Sequence, residues 1–180
     1  MSKLRKSSMK EQCYEIIREK ILHQEYDLGQ FINIVGLCAE LSVSNTPIRE
    51  ALSQLEAEGL VVTALNSKVR VISLDAHSFL EMTQTLLILE TGAYRMGVEA
   101  NRLIDLADRM QLCLDKQKRM FEQKDESGFV HETVRFDRCI LEALNNSRLL
   151  SMFDGIAGIL FLMFRTKFQQ DSALRQRSLE

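Results

Sequence analysis

The chain has a single proline, Pro47, and it falls at the head of a run that reads as a helix. The hydroxyl of Thr46 can cap the free N–H groups there, and Pro47 at the first helical position sacrifices no intrahelical bond. Ile48, Ala51, Leu52 and Leu55 then recur at spacings of three and four, which makes one apolar stripe. Asn45, Arg49, Glu50, Ser53 and Gln54 share the opposite, polar side. Gly59 is placed to end the helix in a left-handed turn. A short helix with a sharp start, an apolar back and a hydrogen-bonding front suits entry into a DNA major groove.

The residues around it supply a small domain. Cys13, Ile16, Ile17, Ile21 and Leu22 fit the apolar face of a first helix over about 9–23. A turn centred on Gly29 follows, with a short strand at Phe31–Asn33. A second helix over 35–41 turns Leu37, Cys38 and Leu41 inward. After Gly59 the pattern becomes β-branched. Residues 60–65 and 69–73 read as two strands joined by a polar tip at Asn66, Ser67 and Lys68. Three helices followed by a hairpin make a winged helix-turn-helix, here over residues 1–74.

Charge alone does not point to nucleic acid. The net charge is −2, and residues 1–72 balance nine Lys/Arg against nine Asp/Glu. DNA binding would therefore rest on local arrangement. Lys3, Arg5, Lys6 and Lys10 form a small basic arm. The four cysteines are widely separated, without a C-x-x-C pair, and read as reduced thiols of a cytoplasmic protein. No signal-peptide pattern and no run of about 18 apolar residues is evident, so no membrane association is expected. No nucleophile–base arrangement, paired-carboxylate site or glycine-rich phosphate loop argues for an enzyme.

The run from Leu41 to Leu52, followed by Leu55–Val61, closely resembles the DNA-binding signature of GntR-family transcription regulators. The match is densest at Thr46-Pro47-Ile48-Arg49-Glu50-Ala51-Leu52. The resemblance implies that Thr46 and Arg49 contact DNA and that Asn45 touches bases or phosphate. Read from the residues alone, Asn45 and Ser44 either contact DNA or only cap and turn the chain. Lys68 and Arg70 are either phosphate contacts or edge-strand charges. Many family members carry arginine in place of Asn45 and an Arg-Gly pair in place of Ser67-Lys68, which implies an altered operator. Glu50 is expected to bond a neighbouring element.

From Asp75 onward the pattern is helical, with Asp75 a cap and segments over about 76–99, 101–124, 127–144 and 147–176. Leu86, Leu89, Ala93 and Met96 mark the apolar face of the first of these, and Gly155 and Gly158 permit close approach in the last. Residues 156–164 are apolar on every side. The fold class is thus mainly α: an N-terminal winged helix-turn-helix and a C-terminal antiparallel helical bundle over 75–180.

This bundle resembles the FadR-like, FCD-type branch of the family, which dimerises and binds a small metabolite, often through a metal. Thr133 stands in that branch's carboxylate position and Asp137 in its histidine position. A hydroxyl and one carboxylate make a poor transition-metal site, so neither metal nor cofactor is expected. Leu86 or Leu87 falls where the branch often places a ligand-binding arginine. Leu86, Leu89, Phe136, Asp137, Phe153 and Phe164 are the effector-pocket candidates, with a plain apolar core as the other reading of the stripe. Arg95, Arg165 and His131 read as surface or interhelix residues. The branch commonly continues for two more helices, which implies a short member, a truncated chain or one cut after synthesis.

The expected function is a homodimeric, metabolite-responsive repressor on a pseudo-palindromic double-stranded operator. The alternative is a dimeric metabolite-sensing or protein-interaction module that has lost specific DNA binding.

Overall fold

The computed structural model describes residues 8–170, which fall into two compact units, one running to Ser73 and the other starting at Leu74. The first holds α1 (Met9–Leu22), α2 (Ile34–Leu41), α3 (Asn45–Ala57), β1 (Val61–Thr63) and β2 (Val69–Val71). Helix α1 starts at a reciprocal cap. The Ser8 hydroxyl accepts from the Glu11 amide at 3.2 Å, and the Ser8 amide donates to the Glu11 carboxylate at 2.7 Å. Cys13, Ile17, Ile21 and Leu22 face the core, but Ile16, expected among them, is exposed. Helix α1 packs on α3, whose stripe Ile48, Ala51, Leu52 and Leu55 is buried, and Leu37 is buried on α2, which also packs on α3. Each of these leucine and isoleucine side chains contributes about 1.5–3 kcal/mol on burial. The basic arm at Lys3, Arg5 and Lys6 lies outside the described residues.

β1 and β2 pair antiparallel, with Val61 opposite Val71 and Thr63 opposite Val69. A minimal third strand flanks them: Phe31 bridges Arg70, and the Ile32 amide donates to the Val69 carbonyl at 2.9 Å. Gly29, at φ +80°, makes the turn into that strand, where a side chain would be strained. The hairpin is shorter than the sequence pattern, because residues Leu65–Ser67 curl into a 3₁₀ turn at its tip.

The second unit is four helices: α4 (Ala76–Glu99), α5 (Leu106–Glu122), α6 (Glu126–Ala143) and α7 (Ser147–Gln170). Asp75 caps α4, accepting from the Ser78 amide at 2.8 Å, and Asp125 caps α6, accepting from the Gly128 amide at 2.9 Å. Helix α5 begins five residues later than its periodicity suggests. Asn101, at φ +52°, breaks the chain after α4, and the apolar Leu103 and Ile104 extend the pattern without extending the helix.

One core forms around Ala93, Leu141, Leu144, Phe153 and Leu160, and a second around Leu106, Cys113 and Cys139. Two expectations fail here. Met96 is exposed, and a side chain at Gly155 would meet open space rather than a neighbouring helix. Every residue over 156–164 is buried or half-buried.

Helix α7 is also long and apolar enough to cross a bilayer, with mean hydropathy 1.5 over an 18-residue stretch within Ser147–Gln169, contrary to the sequence reading. Counting only the uninterrupted apolar run missed this. Its most apolar turns are nevertheless packed inside the bundle, with Phe153, Leu160 and Leu162 fully buried. These turns belong to the helical core, while about a third of the whole stretch is buried.

Candidate functional site

Helix α3 starts two residues earlier than its proline suggests. Ser44 is the N-cap and Asn45 the first helical residue, so Thr46 lies within the first turn and Pro47 third in it. Proline is tolerated there because the first turn's N–H groups have no intrahelical acceptor. The other end closes at Gly59, φ +72°. Its amide donates to the Glu56 carbonyl, and the Leu60 amide to the Leu55 carbonyl, both at 3.0 Å. This paired closure fixes the exit of α3 toward β1.

The sequence assigned Ser44 either a turning or a DNA-contacting role. Its side chain makes no capping bond, and it is exposed together with Asn45, Thr46 and Arg49. No described residue pairs with the Arg49 guanidinium, and none bonds the side chains of Ser44, Asn45 or Thr46. These polar groups lie at the N-terminal end of α3, where the aligned peptide dipoles favour an anion.

Arg49 also lines a cleft of about 230 Å³ between α3 and the hairpin, with Ser53, Glu56, Thr63 and Ser67 around it. Glu56, which the sequence reading overlooked, closes one wall: its carboxylate accepts from the Thr63 amide at 2.8 Å and ties α3 to the hairpin. The bonding role expected of Glu50 is not found. That residue is exposed with no bonding partner among the described residues, while Glu58, also on this helix end, accepts from the Tyr14 hydroxyl at 2.8 Å. Burial and that bond push the Tyr14 phenol up to about 12, so it remains a donor.

Lys68 and Arg70 are exposed at and beside the hairpin tip, outside this cleft. The Lys68 ammonium lies 5.9 Å from the centre of the exposed Phe31 ring. Asn66 and Ser67 both adopt left-handed backbone, at φ +67° and +58°. Relief of that strain is worth about 1–2 kcal/mol, whereas glycine's extra freedom in the unfolded chain costs about 0.5–1 kcal/mol. Ser67→Gly is therefore expected to stabilise the chain by roughly 0.5–1 kcal/mol, read as a raised urea midpoint.

In the bundle, Leu86, Leu89 and Phe164 pack against the first core, of which Phe153 is part, while Phe136 packs on the second. Asp137 instead faces Glu90 of α4, and its Oδ2 is buried without a hydrogen-bond partner among the described residues. Burial, then the neighbouring Glu90 charge, pushes the Asp137 carboxyl up to about 8, so it keeps a proton at neutral pH. Glu90 is also raised by burial, opposed by its bond with Asp137. The sequence offered a signal for Glu90 alone, which adjoins the apolar positions Leu86, Leu89 and Ala93 on one face of α4.

Thr133 is engaged locally, donating to the Phe129 carbonyl at 3.0 Å, and accepts from the buried Gln117 amide at 3.4 Å. His131 and Arg95 are exposed, while Arg165 turns guanidinium nitrogens into the interior. No group of three or more His, Cys, Asp or Glu among the described residues is placed to hold a metal ion.

Comparison with known proteins joins these two halves. The family described as "Bacterial regulatory proteins, gntR family" matches residues 9–71, and the "FCD domain" matches residues 81–180. The gluconate operon transcriptional repressor of Bacillus licheniformis is 27% identical over 144 residues, covering 80% of this chain and 58% of that protein. The Nta operon transcriptional regulator of Aminobacter aminovorans is 37% identical over 100 residues, covering 56% of this chain and 44% of the relative. The chain thus spans about half the length of these two curated relatives. The solved structure of E. coli McbR/YncC superposes with a TM-score of 0.73 at 22% identity, covering 96% of this chain and 82% of that one, and shows the shared fold. This chain belongs to the GntR family of bacterial regulatory proteins, in its FadR-like branch that carries an FCD domain.

Proposed function

We propose that this protein is a cytoplasmic transcription repressor that binds a pseudo-palindromic operator as a homodimer and responds to a small metabolite. The observation that carries the DNA reading is the exposed start of α3, where no described residue bonds the side chains of Ser44, Asn45, Thr46 or Arg49. Thr46 and Arg49 read base edges in the major groove. Asn45 and Ser44 contact bases or phosphate, and Lys68 and Arg70 meet the backbone beside it. The repressor assignment is supported by the name of the Bacillus licheniformis relative.

Selection of bound duplexes from a random pool tests this reading. The expected result is an enriched inverted repeat whose affinity falls steeply with salt. No enrichment and no salt slope would instead favour a sensing module without DNA binding, the reading suggested by the balanced charge of the first 72 residues.

The dimer reading rests on α4. Its inner face packs in the core, yet Leu80, Leu87, Ile88, Tyr94 and Val98 are exposed on the other side. At 100° per residue they fall within about a third of the helix circumference and extend over roughly 27 Å. A second copy that presents the same stripe covers both at once, in the self-complementary manner of two-fold dimers. Ile88, 71% exposed, is the position to test. Ile88→Glu is expected to weaken self-association by about tenfold, near 1.4 kcal/mol, in sedimentation equilibrium. Unchanged association would move the interface elsewhere.

The effector is assigned to the bundle interior around Leu86, Leu89, Phe136, Asp137, Phe153 and Phe164. A ligand there acts on DNA affinity only through different affinities for the two states of the dimer.

A further inference from the structure

The second core contains two thiols that the proposed regulatory role does not use. Cys113 of α5 and Cys139 of α6 are 2% and 4% exposed, and their sulfurs are 3.8 Å apart. Leu103, Met110, Phe136 and Ile140 pack around them. Both are free thiols. We propose that this pair is an oxidisable dithiol, which a hydroperoxide converts into an intramolecular disulfide joining α5 to α6.

The distance supports the chemistry. A disulfide requires sulfurs about 2.05 Å apart, so each must move by roughly 1 Å, within reach of small side-chain rotations. In the first step a cysteine thiolate attacks one peroxide oxygen, giving a sulfenic acid as the O–O bond breaks and hydroxide leaves. In the second, the neighbouring thiol attacks the sulfenic sulfur, the S–S bond forms and water departs. Two thiols and one hydrogen peroxide give one disulfide and two waters. Two electrons pass from the sulfur pair to the peroxide.

The environment also sets the order of rates. Burial, together with the adjacent Cys139, pushes the Cys113 thiol up to about 11, so little thiolate is present and the first step is slow. The second step is intramolecular between groups already in contact, and it outruns further oxidation of the sulfenic acid. The pair therefore records sustained exposure to oxidant rather than a brief pulse. Its product would fix α6, which also carries Asp137, against α5. This inference does not depend on DNA binding.

The test treats the full chain with hydrogen peroxide, blocks remaining thiols with N-ethylmaleimide under denaturing conditions and analyses the tryptic peptides by mass spectrometry. The expected product joins the peptide of residues 110–116 to that of 139–148 with the loss of two hydrogens, and dithiothreitol reverses it. Blocked Cys113 and blocked Cys139 should decline in equal amounts. With Cys139→Ala, Cys113 should instead be recovered with added oxygen and be trapped by dimedone. Two outcomes overturn the proposal: both thiols remain fully blockable after the treatment, or one reaches the sulfinic acid in the unsubstituted chain while the other stays free. Neither depends on how well the variant folds.

Discussion

Arg49→Ala is expected to leave the winged helix folded and to reduce its preference for operator over random duplex by about 1–3 kcal/mol, or roughly 5- to 150-fold. The fold should tolerate the change. Arg49 is exposed, no described residue pairs with it, and alanine is at least as good a helix former. The apolar stripe of α3 lies on the other side, at Ile48, Ala51, Leu52 and Leu55. Loss of one cation should also lower the salt slope of binding by about one unit, because one fewer phosphate counterion is released.

A second substitution separates charge from geometry. Arg49→Lys keeps the positive charge but loses the planar fork that bonds two acceptors of a guanine. If Arg49 reads a base, lysine should restore the salt slope without restoring the preference. If it only neutralises phosphate, Arg49→Ala should weaken binding to both duplexes equally, and lysine should restore that affinity and the salt slope. Fluorescence anisotropy against operator and random duplex at two salt concentrations gives these quantities, and an unchanged preference in Arg49→Ala would remove Arg49 from base reading.

The features legible in the sequence were those set by local backbone chemistry. Gly59 at the end of α3, Gly29 in its turn and Asp75 before α4 are each constrained by a single backbone geometry, and each occupies it. Pro47 was less decisive. A proline fits any position in a helix's first turn, so it located α3 but not its first residue. Apolar periodicity overreached in a similar way. Ile16 and Met96 fit the apolar spacing yet are exposed, because periodicity does not say which faces a fold actually covers. The Glu56 bond to the hairpin and the Glu90–Asp137 contact join residues distant in sequence, and only packing brings them together.

That carboxyl contact has the largest consequence for stability. Folding raises the Asp137 pKa from 3.8 to about 8, through burial first and the Glu90 charge second. The folded chain therefore keeps a proton that the unfolded chain releases above about pH 4. Between these values the folded state binds more protons, so stability falls as pH rises from about 4 to about 8 and this group adds no further slope above that. One pKa unit corresponds to about 1.4 kcal/mol, and after solvent relaxation the loss by pH 7 is on the order of 2–3 kcal/mol. Asp137→Asn supplies a similarly shaped neutral donor to the Glu90 carboxylate at every pH. The variant should match the parent near pH 4, exceed it by on the order of 2–3 kcal/mol at pH 7–8, and have a flatter profile between them. Urea unfolding followed by helical circular dichroism measures both curves. Glu90→Gln should remove the charge-dependent part of that slope together with Glu90's own titration, while burial of Asp137 persists. Parallel curves for Asp137→Asn and the parent across pH 4–8 would show that folding does not retain this proton.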